Sequence, residues 1–129
     1  MKILKFIYLF FLIFLLIYIL YFWYNIIHLS ILSLKVSCND ISDEELNKLG
    51  YFVAGEYYSC NDSINIYLNE TSFNKKEIVS INKHENCHRF QEYNNYSYGC
   101  SERFNALLNE IECYFSEKIP DKIYNEKFN

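Results

Sequence analysis

Basic residues and histidines are scarce in this chain, and the scarcity limits what it can bind. Only 12 of the 129 residues are Lys or Arg, against 16 Asp or Glu, which gives a formal net charge of −4. The basic residues form no cluster, so the positive surface that nucleic-acid binding depends on is missing. We therefore expect no nucleic-acid partner. The sequence holds only three histidines, so the close spacing of two of them calls for an explanation.

Charged residues are almost absent from residues 3–34, which contain one Lys and no acidic residue. The uncharged run from Phe6 to Tyr24 is dominated by Leu, Ile, Phe and Tyr. A helix needs about 20 apolar residues to cross a bilayer core of about 30 Å. The aromatic residues at 21–24 lie where an interfacial belt is expected. We predict a membrane anchor at residues 1–34.

A cleaved signal peptide is the main alternative, but its apolar region is shorter and ends in small residues. This run is longer and ends in bulky aromatic residues, which favours a retained single-pass anchor. Lys2 and Lys5 precede the run, whereas Lys35 alone follows it before the sequence turns acidic. An excess of Lys and Arg marks the cytoplasmic side. The prediction is a cytoplasmic N-terminus and an exported C-terminal domain.

All five cysteines follow the anchor, at positions 38, 60, 87, 100 and 113. In an oxidising compartment they allow two disulfides and leave one thiol, with the pairing open. Sequons at Asn61, Asn69 and Asn95 support export weakly, because Asn is frequent here. Residues 35–129 suffice for one small domain, whose modest core is expected to rely on disulfides or a metal.

The predicted order of elements in this domain is helix, β-hairpin, helix, loop and helix, an α+β class. Ser42 is a suitable N-cap and Gly50 a suitable terminator for the first helix. Two strands then meet at residues 60–62, and the second alternates apolar and polar residues. Asn74 and Glu77 fit a capping box at the start of the next helix. The last helix opens at Ser101, and its predicted core-facing stripe is Phe104, Leu107, Leu108, Ile111 and Phe115.

The segment "INKHENCHRFQE", residues 81–92, contains the pattern H-E-x-x-H at His84, Glu85 and His88. On a helix, residues i and i+4 lie one above the other, so two imidazoles can bind one tetrahedral zinc. The glutamate beside the first histidine then lies near the metal and can act as a general base. The pattern therefore predicts a zinc site with Glu85 as the catalytic residue.

Two other interpretations of the pair compete with a catalytic zinc. The first is an exposed helix with two spare histidines. The second is a structural zinc held by both histidines and two cysteines, although no C-x₂₋₄-C spacing is present. A catalytic zinc needs a third protein ligand, and His28 lies too far away, at the end of the anchor. The candidates in the last helix are Glu102, Glu110, Glu112, Cys113 and Glu117.

A hairpin, an H-E-x-x-H helix and a later helix with a glutamate resemble the minimal core of the gluzincin metallopeptidases. That resemblance implies a third ligand in an E-x-x-[AS]-[DN] segment, which Glu110 fits with Cys113 at the small position. Tyr114 departs from the usual Asp or Asn that orients a ligand histidine. Glu112 is the alternative ligand. The resemblance also implies a Tyr donor, for which Tyr93, Tyr96 and Tyr98 are available, and an edge strand at Ser63–Asn69 for substrate.

The sequence therefore predicts a membrane-anchored zinc-dependent peptidase acting on peptide or protein substrates. His84, His88 and Glu110 would bind the zinc, and Glu85 would activate the water. The competing hypothesis is a non-catalytic, membrane-anchored interaction module that contains a structural zinc or relies on disulfides.

Overall fold

A computed structural model of the chain describes residues 2–67 and 73–128. The first helix, α1 (Lys2–Ser37), has 36 residues and is unbroken. Over Ile3–Ser37 it is long and apolar enough to cross a membrane. The helix runs past the predicted end of the anchor at residue 34, because nothing in the sequence breaks it before Asn39. That residue adopts a φ of 56°, a left-handed conformation that Asn tolerates.

The two ends of α1 have different surroundings. Residues 3–21 are exposed, as expected of a segment whose neighbours are lipids. Ile26, Ser30 and Leu32 are buried, because this part of the helix packs against the folded domain. The C-terminal turns of α1 therefore belong to the domain as well as to the predicted anchor.

The next elements follow the local signals in the sequence. Helix α2 (Asp43–Lys48) begins after Ser42, which forms the expected capping box with Glu45. Strands β1 (Gly55–Tyr58) and β2 (Ser63–Ile66) pair antiparallel, with Gly55 opposite Ile66. The predicted extension of β2 to residues 68 and 69, and the sequon at 69, lie outside the described residues.

Helix α3 (Lys75–Tyr93) carries the histidine pair, and its start is confirmed at Asn74. The Asn74 side chain accepts hydrogen bonds from the backbone of residues 76 and 77, and Glu77 completes the capping box. The buried residues of α3 are His84, Glu85, Cys87 and Gln91. Three of these four side chains are polar or charged, which is an uncommon content for a buried helix face.

The predicted core stripe of the last helix is wrong at three of its five positions, because Phe104, Leu108 and Phe115 are exposed and only Leu107 and Ile111 are half-buried. Helix α4 (Arg103–Ser116) buries Ala106, Glu110, Cys113 and Ser116, whereas Phe104 is 73% exposed and Leu108 is 47% exposed. Helices α1 and α3 both pack against α4, and small side chains allow that close approach. The structure also contains a helix that was not predicted, α5 (Asp121–Phe128), after Pro120.

Two disulfides hold the helices together, and one cysteine remains free, as the sequence predicts. Cys38 at the end of α1 is bonded to Cys100, just before α4, and Cys87 on α3 is bonded to Cys113 on α4. The second disulfide lies in a core cluster with Tyr124 and Phe128 of α5. Cys60 is an exposed thiol. Over residues 2–67 and 73–128 the chain is thus mostly helical, with one small two-stranded sheet.

Candidate metal centre

The structure brings three of the predicted residues to one point. Nε2 of His84 lies 3.1 Å from Nε2 of His88. The Glu110 carboxylate, contributed by α4, places one oxygen 3.6 Å from the His84 nitrogen and the other 3.4 Å from the His88 nitrogen. One ligand atom from each residue therefore falls within 4.8 Å of the others.

These distances can be compared with the size of a zinc site. Ligand atoms bonded at 2.0–2.1 Å in a tetrahedron lie about 3.3 Å apart, from the bond length and the tetrahedral angle. The His84–His88 separation lies just below that value, and the two contacts of the Glu110 carboxylate, each made by a different oxygen, lie just above it. Two nitrogens and a carboxylate oxygen are also ligands that zinc accepts. The residues present fit a zinc ion with three protein ligands.

The orientation of His88 is set by Gln91. Nδ1 of His88 lies 3.1 Å from Oε1 of Gln91. The Gln91 amide nitrogen donates to the carbonyl of Asn109 and to Glu112, so its oxygen must face the ring. Nδ1 therefore carries the proton of the neutral ring, and Nε2 turns its lone pair toward the cluster.

The orientation of His84 depends on Glu117 of α4. Nδ1 of His84 lies 3.0 Å from Oε1 of Glu117, although its N–H does not point well enough at that oxygen for a hydrogen bond. The other Glu117 oxygen accepts a hydrogen bond from the Ser80 hydroxyl at 2.9 Å. This contact favours the proton on Nδ1, as the outer carboxylate does in carboxylate–histidine–zinc arrangements.

The cluster attracts a positive charge. Two imidazole lone pairs and a carboxylate meet in a buried place, where their mutual repulsion is strong without a proton or metal between them. Burial lowers the pKa of His84, but the carboxylates of Glu110 and Glu117 outweigh it and raise that pKa to about 10. Burial raises the pKa of Glu110, yet the two histidines hold it well below its usual range.

Glu85 follows His84 on α3 and is also buried. It lines a cavity of about 820 Å³ together with His84, His88 and Glu110. Burial is the main cause that raises the pKa of the Glu85 carboxyl, and the nearby histidines oppose it. The carboxylate that the sequence assigns to proton transfer thus borders the same cavity as the three candidate ligands.

Gly55 lets strand β1 approach α3 at the level of Glu85. A Cβ at Gly55 would lie 2.8 Å from Cγ2 of Ile81 and 3.4 Å from Cγ of Glu85. A side chain there would push the strand away from the helix. The glycine is therefore needed for space, at the edge of the candidate site.

A Gly55→Ala variant should lose about 1–3 kcal/mol of unfolding free energy, the usual cost of overpacking. Urea unfolding of the purified full-length protein in detergent measures the loss. Gly99→Ala is the matched control, since a Cβ at Gly99 meets nothing within 4 Å. Equal stability of the two variants would contradict the close approach.

The other predicted ligands lie elsewhere. Glu112 accepts a hydrogen bond from Gln91 and pairs with Lys127 at 2.6 Å, Glu102 is exposed, and Cys113 is in a disulfide. His28 packs against Tyr51 and is not in the cluster. The structural-zinc hypothesis loses its cysteine ligands, because four of the five cysteines, Cys100 and Cys113 among them, are bonded in pairs.

Tyr114 occupies the position where the gluzincin pattern has Asp or Asn. Its ring packs edge-on against the ring of His84, with centroids 4.3 Å apart, and the carboxylate beside His84 comes from Glu117 instead. The sequence analysis predicted Glu117 only as a possible zinc ligand, not as the residue that contacts the His84 ring. Its position seven residues after Glu110 indicates this contact, because residues seven apart lie on the same face of a helix.

The walls of the cavity also differ from the prediction. Strand β1 lines the cavity, whereas no residue of β2 does, so the described part of the expected substrate strand, residues 63–67, is not among the walls of the candidate site. Of the three predicted Tyr donors, only Tyr98 lines the cavity. The hydroxyl of Tyr93 donates to Asp62, and that of Tyr96 donates to Glu112.

No protein-family model, curated protein or solved structure matches the chain. The similarity to gluzincins therefore rests on the residues and their arrangement alone.

Proposed function

We propose that the protein is a membrane-anchored zinc-dependent peptidase. The observation that carries the proposal is the convergence of His84 Nε2 and His88 Nε2, 3.1 Å apart, with the Glu110 carboxylate, whose two oxygens lie 3.6 Å from the first nitrogen and 3.4 Å from the second. The Nδ1 atom of His88 lies 3.1 Å from Gln91 Oε1 and that of His84 lies 3.0 Å from Glu117 Oε1, which leaves the two Nε2 atoms as the metal-binding nitrogens. Three protein ligands leave the fourth position of a tetrahedral ion open, as in catalytic zinc sites.

The reaction assigned to the site is hydrolysis of a peptide bond by water. Zinc, when bound, supplies Lewis acidity and lowers the pKa of a coordinated water. Glu85 accepts a proton from the attacking water and then gives it to the leaving amine, which yields a carboxylate and an amine. His84, His88 and Glu110 hold the metal, while Glu117 and Gln91 orient the histidine rings.

The cavity favours this function over a structural metal. A structural zinc is closed by four protein ligands, whereas this cluster has three and borders about 820 Å³ of open space. Strand β1 lines that cavity and, within the described residues, pairs with β2 on one edge alone, so its other edge offers backbone groups to which an extended peptide can pair. These are the features that a peptidase needs and a structural site does not.

The placement in the cell follows from α1 and the disulfides. We assign the anchor to α1, the N-terminus to the cytoplasm and the domain to the exported side. Lys2 and Lys5 before the apolar run support that orientation. Two disulfides support an oxidising compartment for the domain.

The test is metal analysis and hydrolysis with the purified full-length protein in detergent. We expect about one zinc per chain, and cleavage of unfolded, fluorescently labelled casein that phenanthroline abolishes and added zinc restores. Magnesium should not restore it, because nitrogen ligands suit zinc better. A protein that binds no zinc would exclude the proposal. Zinc binding without any cleavage would instead favour the non-catalytic interaction module.

A further inference from the structure

The helix that could cross a membrane also forms one wall of the candidate active site. Helix α1 continues without a break from the exposed apolar residues 3–21 to Leu29, Leu32 and Ser33, which line the cavity. At 1.5 Å per residue, Leu32 lies about 12 Å along the axis from Tyr24. The aromatic residues at 21–24 mark the expected membrane surface. The cavity therefore begins within about 15 Å of that surface.

The domain is held against α1 at both ends of α4. Near the start of α4, Cys100 is bonded to Cys38, and Arg103 pairs with Asp40. Near its end, the ring of Phe115 stacks on Trp23, with centroids 5.9 Å apart. Helix α4 thus runs antiparallel to α1, and Glu110 lies between the two attachments. These contacts fix the height of the metal centre above the apolar segment.

We propose that the substrate is a polypeptide anchored in the same membrane, cut close to the point where it leaves the bilayer. This inference rests on the proposed peptidase function. Leu32 and Val36 lie about 12 and 18 Å beyond Tyr24 along the axis of α1. An extended chain rises about 3.3 Å per residue, so that height corresponds to about four to six residues. A peptide leaving the membrane beside α1 reaches the cavity over that short length.

The lining of the cavity suits such a segment. The α1 side of the cavity places Leu29, Leu32 and Val36 beside Ser33 and Ser37, and β1 also lines the cavity. An extended peptide between them can pair its backbone with β1 and place apolar side chains against α1. A flexible segment that directly follows a membrane span has free backbone groups at the level of the cavity. A folded soluble protein must first unfold before its backbone can enter.

The test uses full-length protein in phosphatidylcholine liposomes with a single-span synthetic substrate. The exposed tail of the substrate carries four copies of one unstructured ten-residue block of mixed composition, at increasing distance from the membrane. Mass spectrometry of the products gives the block in which each cut falls. Because the blocks are identical, the ratio of cuts depends on distance alone. The same tail without its span is the soluble control, and Glu85→Gln protein is the blank.

We expect the first block to be cut about ten- to twenty-fold more often than the fourth, since a distal block must form a longer loop to return. The four blocks of the soluble tail should be cut equally. Equal cutting of the anchored blocks would overturn the membrane-proximal inference and leave the peptidase function standing. Absence of any cutting above the blank would overturn both.

A variant with a longer α1 provides a second test of the inference. The variant has seven polar, helix-forming residues inserted between Leu20 and Tyr21. The insertion moves the domain about 10 Å farther from the membrane and rotates it about the axis of α1 by only about 20°. The attachments between α1 and α4 are unchanged, because they begin at Trp23. We expect the main cut to move about three residues farther from the membrane. An unmoved cut would overturn the inference.

Discussion

Replacing Glu85 by Gln should abolish most peptide hydrolysis and leave zinc bound. An amide has nearly the same shape as the carboxylate but cannot accept the proton from the attacking water. General-base catalysis contributes about 10²–10⁴-fold to such reactions, so kcat should fall by that factor. The three candidate ligands are untouched, and zinc content should stay near that of the wild type.

Glu92→Gln is the matched control for this variant. Glu92 lies on the same helix and lines the same cavity, but it is exposed and is not next to a candidate ligand. The control should hydrolyse casein at close to the wild-type rate. If the two variants hydrolyse equally well, Glu85 is not the base, and the assigned mechanism is wrong.

Glu110→Ala should weaken zinc binding far more than Glu112→Ala. Loss of an outer residue that orients a ligand costs about 10–100-fold in metal affinity, so loss of a direct ligand should exceed about 100-fold. Glu112 is two residues away on the same helix, but it faces Gln91 and Lys127. Competition titration with a chromophoric zinc chelator measures both affinities.

The pair of variants separates a ligand from an ordinary helix charge. Each substitution removes one carboxylate from α4, so the change in net charge and in helix propensity is the same. Thermal unfolding shows whether either variant loses its fold. Similar zinc affinity in the two folded variants would remove Glu110 from the ligand set.

Local signals in the sequence predicted local structure well. The capping boxes at Ser42 and Asn74 are present, because each depends only on residues within one turn of a helix. The spacing of His84 and His88 likewise places both rings on one side of α3. Such features are set by near neighbours along the chain, and the sequence contains all of them.

Features that depend on packing between distant segments were not predictable. The face that α4 buries is set by α1 and α3 on either side of it, so its apolar residues Phe104 and Leu108 remain exposed. The sequence of helix α5 contains only weak indications of a helix, and α5 packs against the Cys87–Cys113 disulfide. The choice between Glu110 and Glu112 depended on the rotation of α4, which periodicity assigned to the wrong stripe.

The Cys87–Cys113 disulfide couples the geometry of the candidate site to the oxidation state of two thiols. Cys87 lies between the two histidines, and Cys113 is three residues after Glu110, so the bond joins the two helices that supply the ligands. Closing this loop, with its sequence separation of 26 residues, raises the free energy of the unfolded chain by about 3.5 kcal/mol through lost entropy. Under the proposed function, a newly made chain would stay inactive until its thiols are oxidised. Maturation would then protect the proteins of the compartment in which the chain is synthesised.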